Sequence, residues 1–173
     1  MKIVPDLKVT RYAQLKAGEL FLYSHENGLS VAIAAANPVE HGDLYIVTLG
    51  PKFPAAMTCP TIHFPNGSSS LLSYGGDYVL RLPACSQAWS SEPPAAGLPC
   101  IAVAQEDTYI RANAAPPGRG FHPCYVSPKQ GRILGSSNVM QYFPLRDPIF
   151  AHEWEILTTE EKPRTILSCP FDA

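Results

Sequence analysis

Charged side chains are scarce in this sequence of 173 residues, and no segment concentrates charge of one sign. Only 16% of the residues are Asp, Glu, Lys or Arg, against about a quarter in an average globular domain. The formal net charge is -2, and lysine and arginine never gather into a stripe. Because a nucleic-acid groove needs such a positive footprint to meet phosphates, we expect no nucleic-acid partner.

Long apolar runs are also missing. No window approaches the roughly 20 apolar residues of a membrane span, so no membrane segment is expected. The first six residues contain one lysine, and the apolar run that a secretory signal requires does not follow them. The expected location is therefore the cytoplasm.

The five cysteines are widely spaced and odd in number, which argues against a complete disulfide framework. We predict reduced thiols that pack mostly as small hydrophobic side chains. These residues are Cys59, Cys85, Cys100, Cys124 and Cys169.

Proline, in contrast, is abundant. Each of the 18 prolines removes a backbone donor and restrains the residue before it, so the chain is divided into short segments. These segments are rich in the aliphatic and aromatic residues that strands favour. We predict an all-β protein of roughly ten short antiparallel strands in a distorted barrel or a sandwich. One or two short helical turns are expected, at residues 138–142 and 160–162.

Turn residues predict where the strands pair. Asn27-Gly28 lies between two apolar runs, which is the strongest short signal for a β-hairpin. A third strand is expected to follow this hairpin, and two further hairpins are expected along the chain. The predicted strands are 20–23, 29–33 and 44–49 in the first unit, 71–74 with 78–82 in the second, and 100–104 with 108–112 in the third.

Two more strands are expected near the end of the chain. Residues 150–157 alternate as one strand that carries Trp154 on its buried side. The apolar segment 165–171 needs a sheet edge or a partner to cover it.

Residues 83–99 have the composition of a linker or a long loop, because they are rich in proline, alanine and serine and show no strand pattern. They divide the chain into a meander-and-hairpin unit at 1–82 and a second β unit at 100–173. The two units either form small barrel-like halves or pack as a single domain. Since the order of strands and turns in 100–127 resembles that in 19–49, an internal duplication is a further hypothesis.

Cysteine and histidine supply the candidate chemistry. Cys59, His63, His122 and Cys124 are of the types that zinc prefers, but their spacing fits no standard structural site. We therefore expect no metal and keep this set as the alternative. Residues 131–137 lack the lysine and the glycine spacing of a phosphate loop, and no other motif indicates a cofactor.

Cys124 and His122 are the candidate catalytic pair, because residues two apart on an extended strand share a face. Pro123 lies between them, and no known nucleophile motif surrounds them. Arg119, in the glycine-flanked loop 116–122, is the candidate for anchoring a carboxylate or phosphate of a ligand.

Low charge and the lack of catalytic motifs favour a non-enzymatic interaction module. Such an adaptor, inhibitor or assembly component would bind another protein through its loops or a sheet edge. The alternative is a small enzyme or ligand-binding protein with a Cys/His site around His63, His122 and Cys124. These hypotheses differ in whether the three side chains share one pocket.

Overall fold

Strands dominate the computed structural model, which describes residues 7–36, 44–51, 61–63, 70–82, 84, 88–93, 100–105, 107–114, 122–134 and 145–169. One 3-10 helix, Tyr12–Gln14, lies within these ranges. The strands there are β1 (Lys8–Arg11), β2 (Leu20–His25), β3 (Gly28–Ala36), β4 (Leu44–Gly50), β5 (Thr61–His63), β6 (Ser70–Gly75), β7 (Tyr78–Arg81), β8 (Trp89–Ser90), β9 (Cys100–Ala104), β10 (Asp107–Ala114), β11 (His122–Ser127), β12 (Arg132–Leu134), β13 (Ile149–Ala151), β14 (Trp154–Thr158) and β15 (Thr165–Cys169).

The strands form two sheets. The large sheet has 12 strands and follows the order β1-β6-β2-β3-β12-β11-β10-β9-β13-β8, while β4 and β5 link β3 to β10. The small sheet has the order β15-β14-β7. Its pairs are antiparallel, and so are those of the large sheet apart from two short parallel contacts, β5 with β10 and β12 with β3.

The main core lies between the two sheets. Leu20, Val47 and Ile101 from the large sheet share one buried cluster with Trp154 and Leu167 from the small sheet. The prediction of an all-β fold is therefore confirmed, and of the two predicted architectures the sandwich-like one is observed. The path of the large sheet begins at β1 and ends at β8, and those two strands do not pair, so the sheet as a whole is open. Within it, six strands pair in a ring: β3, β4, β5, β10, β11 and β12.

Two of the three predicted hairpins, β2 with β3 and β9 with β10, form as expected. β2 pairs with β3 from Leu20↔Ile33 to His25↔Gly28, so the turn is the two residues 26–27. β4 then pairs with β3, and β9 pairs with β10 across the turn at Gln105. The prediction that segment 165–171 needs a sheet edge is met by β15, which pairs with β14.

Two predictions of continuous pairing were wrong, because the chain crosses between the sheets. β6 pairs with β1 and β2 in the large sheet, whereas β7 pairs with β14 in the small sheet, so they do not form a hairpin. Both edges of β6 are occupied, and Gly75 (φ 84°) turns the chain away from the sheet. The predicted strand 150–157 likewise divides into β13 and β14 at residues 152–153.

The predicted helical turn at 160–162 was also wrong. These residues form bends in the connection between β14 and β15, where the Thr158 N–H donates to the Arg164 carbonyl at 2.9 Å. Pairing between the two strands fixes the ends of this short connection, and helical geometry does not form there. The predicted turn at 138–142 lies outside the described residues. No helix in the described part of the chain is long and apolar enough to cross a membrane.

Two stretches of the large sheet share one pattern of pairing. In the first, β2, β3, β4 and β5 pair in succession, and in the second β9, β10, β11 and β12 do the same. The last strand of each stretch is parallel to the second strand of the other. This two-fold pattern supports an internal duplication, and it connects residues on both sides of segment 83–99 by backbone pairing.

A close contact between backbones fixes the turn before β12. Gly131 has φ 57°, and a Cβ atom placed on it would overlap the carbonyl carbon of Ala17 and the nitrogen of Gly18. Around this contact the Gly18 N–H donates to the Ala34 carbonyl, and the Ala36 N–H donates to the Gly131 carbonyl, both at 2.7 Å. Only glycine fits at position 131.

Gly131→Ala is expected to lower the free energy of unfolding by about 2 to 4 kcal/mol, because left-handed strain and steric overlap add. Urea denaturation followed by circular dichroism measures the change. Two glycine variants provide matched controls. Gly75→Ala has the same backbone strain (φ 84°) with open space around its Cβ, and should cost about 1 kcal/mol. Gly76→Ala, with ordinary backbone and space, should change little. Equal losses at 131 and 75 would contradict the steric argument.

Candidate functional site

Cys124, the candidate nucleophile, belongs to the core. It lies on β11 with no exposed surface, and its thiol donates to the Ala112 carbonyl at 3.3 Å. Its side chain packs in the same buried cluster as Val47 and Ile110. In this position the thiol stabilises the core, and an external substrate has no direct path to it.

The strands of His63 and His122 lie on either side of β10. His122 pairs with Ala114, Ala114 also pairs with Ile62, and His63 is one residue further along β5, opposite Ile46. Because successive positions of a strand belong to opposite faces of the sheet, position 63 belongs to the face opposite to that of position 122. Positions 122 and 124 belong to the same face, as the sequence predicts for residues two apart in one strand.

Other candidate residues are not described. Cys59 and Arg119 lie outside the described residues, so the zinc alternative and the anchoring role of Arg119 stay predictions. Among the described residues, no group of three or more His, Cys, Asp or Glu is placed to hold a metal ion.

The carboxylate of Glu155 on β14 is held in an ion pair. Glu155 forms an ion pair with Arg81 across the small sheet, where the two residues pair in register. Glu153 lies in the crossing segment before β14.

A groove of about 530 Å³ opens where β7 of the small sheet meets turns of the large sheet. Separate segments of the chain contribute to it, so no local sequence motif indicates it. The residues that line it are Ala17, Gly18, Gly76, Tyr78, Leu80, Leu82, Asp107, Thr108, Pro128 and Lys129.

The groove offers binding groups of several kinds. Tyr78 donates to the Pro128 carbonyl at 3.3 Å, and burial raises the pKa of Tyr78 to about 12, so the hydroxyl stays neutral. Asp107 accepts from the Thr108 N–H at 2.9 Å and from the Gln130 amide at 3.4 Å. Lys129 is exposed, and Leu80 and Leu82 line the same groove.

The first strand forms an edge of the large sheet. β1 pairs with β6 from Lys8↔Ser73 to Arg11↔Ser70, and none of the strands in the described ranges pairs with its other side. An edge strand presents N–H and C=O groups that another chain can pair with.

Val9 is the residue of β1 whose backbone faces outward. The Arg11 N–H donates to the Gln14 side-chain oxygen at 3.2 Å, which indicates that it points away from β6. Since backbone groups alternate in direction along an antiparallel strand, the N–H and C=O of Val9 point the same way as those of Arg11. A further strand would therefore pair with Val9.

The side chains beside this backbone are apolar. Val9 is 76% exposed, and its cross-strand partner Leu72 is 41% exposed. Leu72 in turn pairs with Leu22 of β2, so the three side chains form a row that leads from solvent to the core. We call Val9, Leu72 and Leu22 the edge row. Sequence reasoning missed it, although the alternation of Lys8-Val9-Thr10-Arg11 is a short strand signal.

Comparison of the chain with protein-family models, with curated proteins and with solved structures found no match.

The burial of Cys124 predicts that it resists alkylation in the folded protein. We expect iodoacetamide at pH 8 to leave Cys100, Cys124 and Cys169 largely unmodified, since all three are buried. The same reagent should modify them in urea, and peptide mass spectrometry can map each site. Rapid labelling of Cys124 in the native protein would instead favour the catalytic hypothesis.

Tyr78→Phe is expected to change how stability depends on alkaline pH. The unfolded chain ionises near the ordinary pKa of 10.0, whereas the folded pKa is about 12. The free energy of unfolding therefore falls as the pH rises from 10 to about 12. Across this pH interval, the free energy of unfolding should fall less for the variant than for the wild type. At neutral pH, the variant should be about 1 kcal/mol less stable than the wild type, because the hydrogen bond is missing. Urea denaturation at several pH values measures both effects, and an unchanged alkaline slope would contradict the assignment.

Proposed function

We propose that this protein is a non-enzymatic interaction module of the cytoplasm, an adaptor, inhibitor or assembly component that binds an extended segment of another protein along β1. One observation carries the proposal. Val9 lies on an edge strand with its backbone groups turned outward and its side chain 76% exposed.

Strand addition at this edge would use both backbone and side chain. The partner residue opposite Val9 would exchange two backbone hydrogen bonds with it, each contributing about 1 kcal/mol net. Burial of the valine side chain adds about 1.5 kcal/mol or more. Because association also has an entropic cost, we expect weak, reversible binding of a short segment.

A second candidate function is the binding of a small molecule. The groove beside Tyr78 favours it, because its volume lies within the roughly 300 to 1,000 Å³ that is typical of ligand pockets. The related hypothesis of a Cys/His site around His63, His122 and Cys124 has less support, since the thiol of Cys124 is buried and bonded to a carbonyl.

Val9→Pro tests the interaction function. Proline removes the outward N–H, and an edge position of this kind tolerates it, so the fold should persist. Peptides selected on the wild-type protein from a displayed random library should bind the variant at least tenfold more weakly, measured by fluorescence anisotropy. Thermal melting verifies that the variant is folded.

A pair of serine variants controls for side-chain effects. Val9→Ser should weaken binding several-fold, whereas Val79→Ser, at a valine 47% exposed on β7 of the small sheet, should not. The proposal fails if selection enriches no peptide, or if the enriched peptides bind Val9→Pro as tightly as the wild type.

A further inference from the structure

The exposed charges on β1 are both positive. Lys8 and Arg11 are exposed, and the β6 residues that face β1 across the pairing are serine and leucine. Within the described part of the chain, neither cation forms an ion pair. The protein as a whole is slightly acidic, with a formal net charge of -2, so this edge has the opposite sign to the chain.

The positions of the two cations relative to Val9 are fixed by strand alternation. Val9 and Arg11 share one face with Leu72, while Lys8 and Thr10 share the other. A strand added at this edge therefore meets one cation on each face, with the exposed valine between them.

We propose that the segment bound along β1 is acidic, with an order that matches this edge. In an antiparallel addition, the segment carries an acidic residue opposite Arg11, any residue next, an apolar residue opposite Val9, and an acidic residue opposite Lys8. The pattern from the N-terminus is acidic, any, apolar, acidic. This inference rests on the proposed function and specifies the chemistry of the partner.

A second copy of the chain fits this edge poorly. The outward backbone groups of Val9 must pair with an outward residue of the copy, so Val9 would lie opposite Val9 or Arg11 of the copy. The Arg11 N–H is already bonded to the Gln14 side chain. Either alignment brings Lys8 and Arg11 of both copies together on two short paired strands, and these strands contain no carboxylate. Like charges on neighbouring strands are destabilising, whereas opposite charges stabilise the pairing.

The expected gain from charge is moderate. An exposed ion pair changes an affinity by about two- to fivefold at low salt, so two pairs change it by about tenfold. Screening should reduce this gain as the salt concentration rises.

Synthetic hexapeptides test the inference. The probe is Thr-Glu-Thr-Val-Glu-Thr, and the control peptides are its lysine counterpart and a scrambled peptide of the same composition. Fluorescence anisotropy should show that the wild-type protein prefers the acidic probe by about tenfold. For Lys8→Glu combined with Arg11→Glu, the preference should reverse in favour of the lysine peptide.

A matched double variant separates local charge from net charge. Arg146→Glu combined with Lys162→Glu makes the same change in net charge at exposed positions outside β1 and outside the groove. It should keep the preference for the acidic probe. If this variant loses the preference to the same extent, long-range charge explains the effect and the inference is overturned.

The outcomes also distinguish this inference from the proposed function. Peptides that need Val9 but show no preference for acidic residues would overturn the acidic pattern and leave the interaction function standing. If no peptide is sensitive to Val9→Pro, the interaction function itself fails. Dimerisation of the wild-type protein that Val9→Pro abolishes, measured by sedimentation equilibrium, would overturn the acidic segment in favour of self-pairing.

Discussion

The contact between the backbones of Gly131 and residues 17–18 determines how the large sheet is put together. It holds the turn before β12 against the segment that leads into β2, at a distance that no side chain permits. The two hydrogen bonds beside it join the end of β3 to both segments. The parallel contact of β12 with β3 is a single residue pair, so it depends on this junction. The same segments also form one wall of the groove beside Tyr78.

The repeated pairing pattern accounts for the two short parallel contacts of the large sheet, β5 with β10 and β12 with β3. Each stretch of four strands leaves its last strand beside the second strand of the other stretch, and these joins are short. One join brings β5 next to β10, close to the positions of His63 and His122. Positions 63 and 122 therefore lie on strands that flank β10, and they belong to opposite faces of the sheet.

Local signals predicted the local parts of the fold. The Asn27-Gly28 signal and the alternating residues around it were sufficient to predict β2 and β3, although the turn itself is residues 26–27, because the pairing there joins neighbours in sequence. The points where the chain passes between the two sheets, at 76–77 and 152–153, were not predictable. The alternation of apolar and polar residues is the same whether the next strand stays in its sheet or belongs to the other sheet. The groove was missed for a related reason. Its lining comes from distant segments, whereas β1 carried a short signal of its own.

The two crossings also bear on how the chain reaches its final state. β7 comes early in the sequence but belongs to the small sheet, where its only described strand neighbour is β14. Arg81 on β7 lies 74 residues before Glu155 on β14. Closing so long a loop has a high entropic cost that local hairpins avoid. During synthesis β7 therefore has no partner strand among the described residues until β14 has left the ribosome. The second layer of the sandwich is assembled last, on a first layer whose hairpins can form as they emerge.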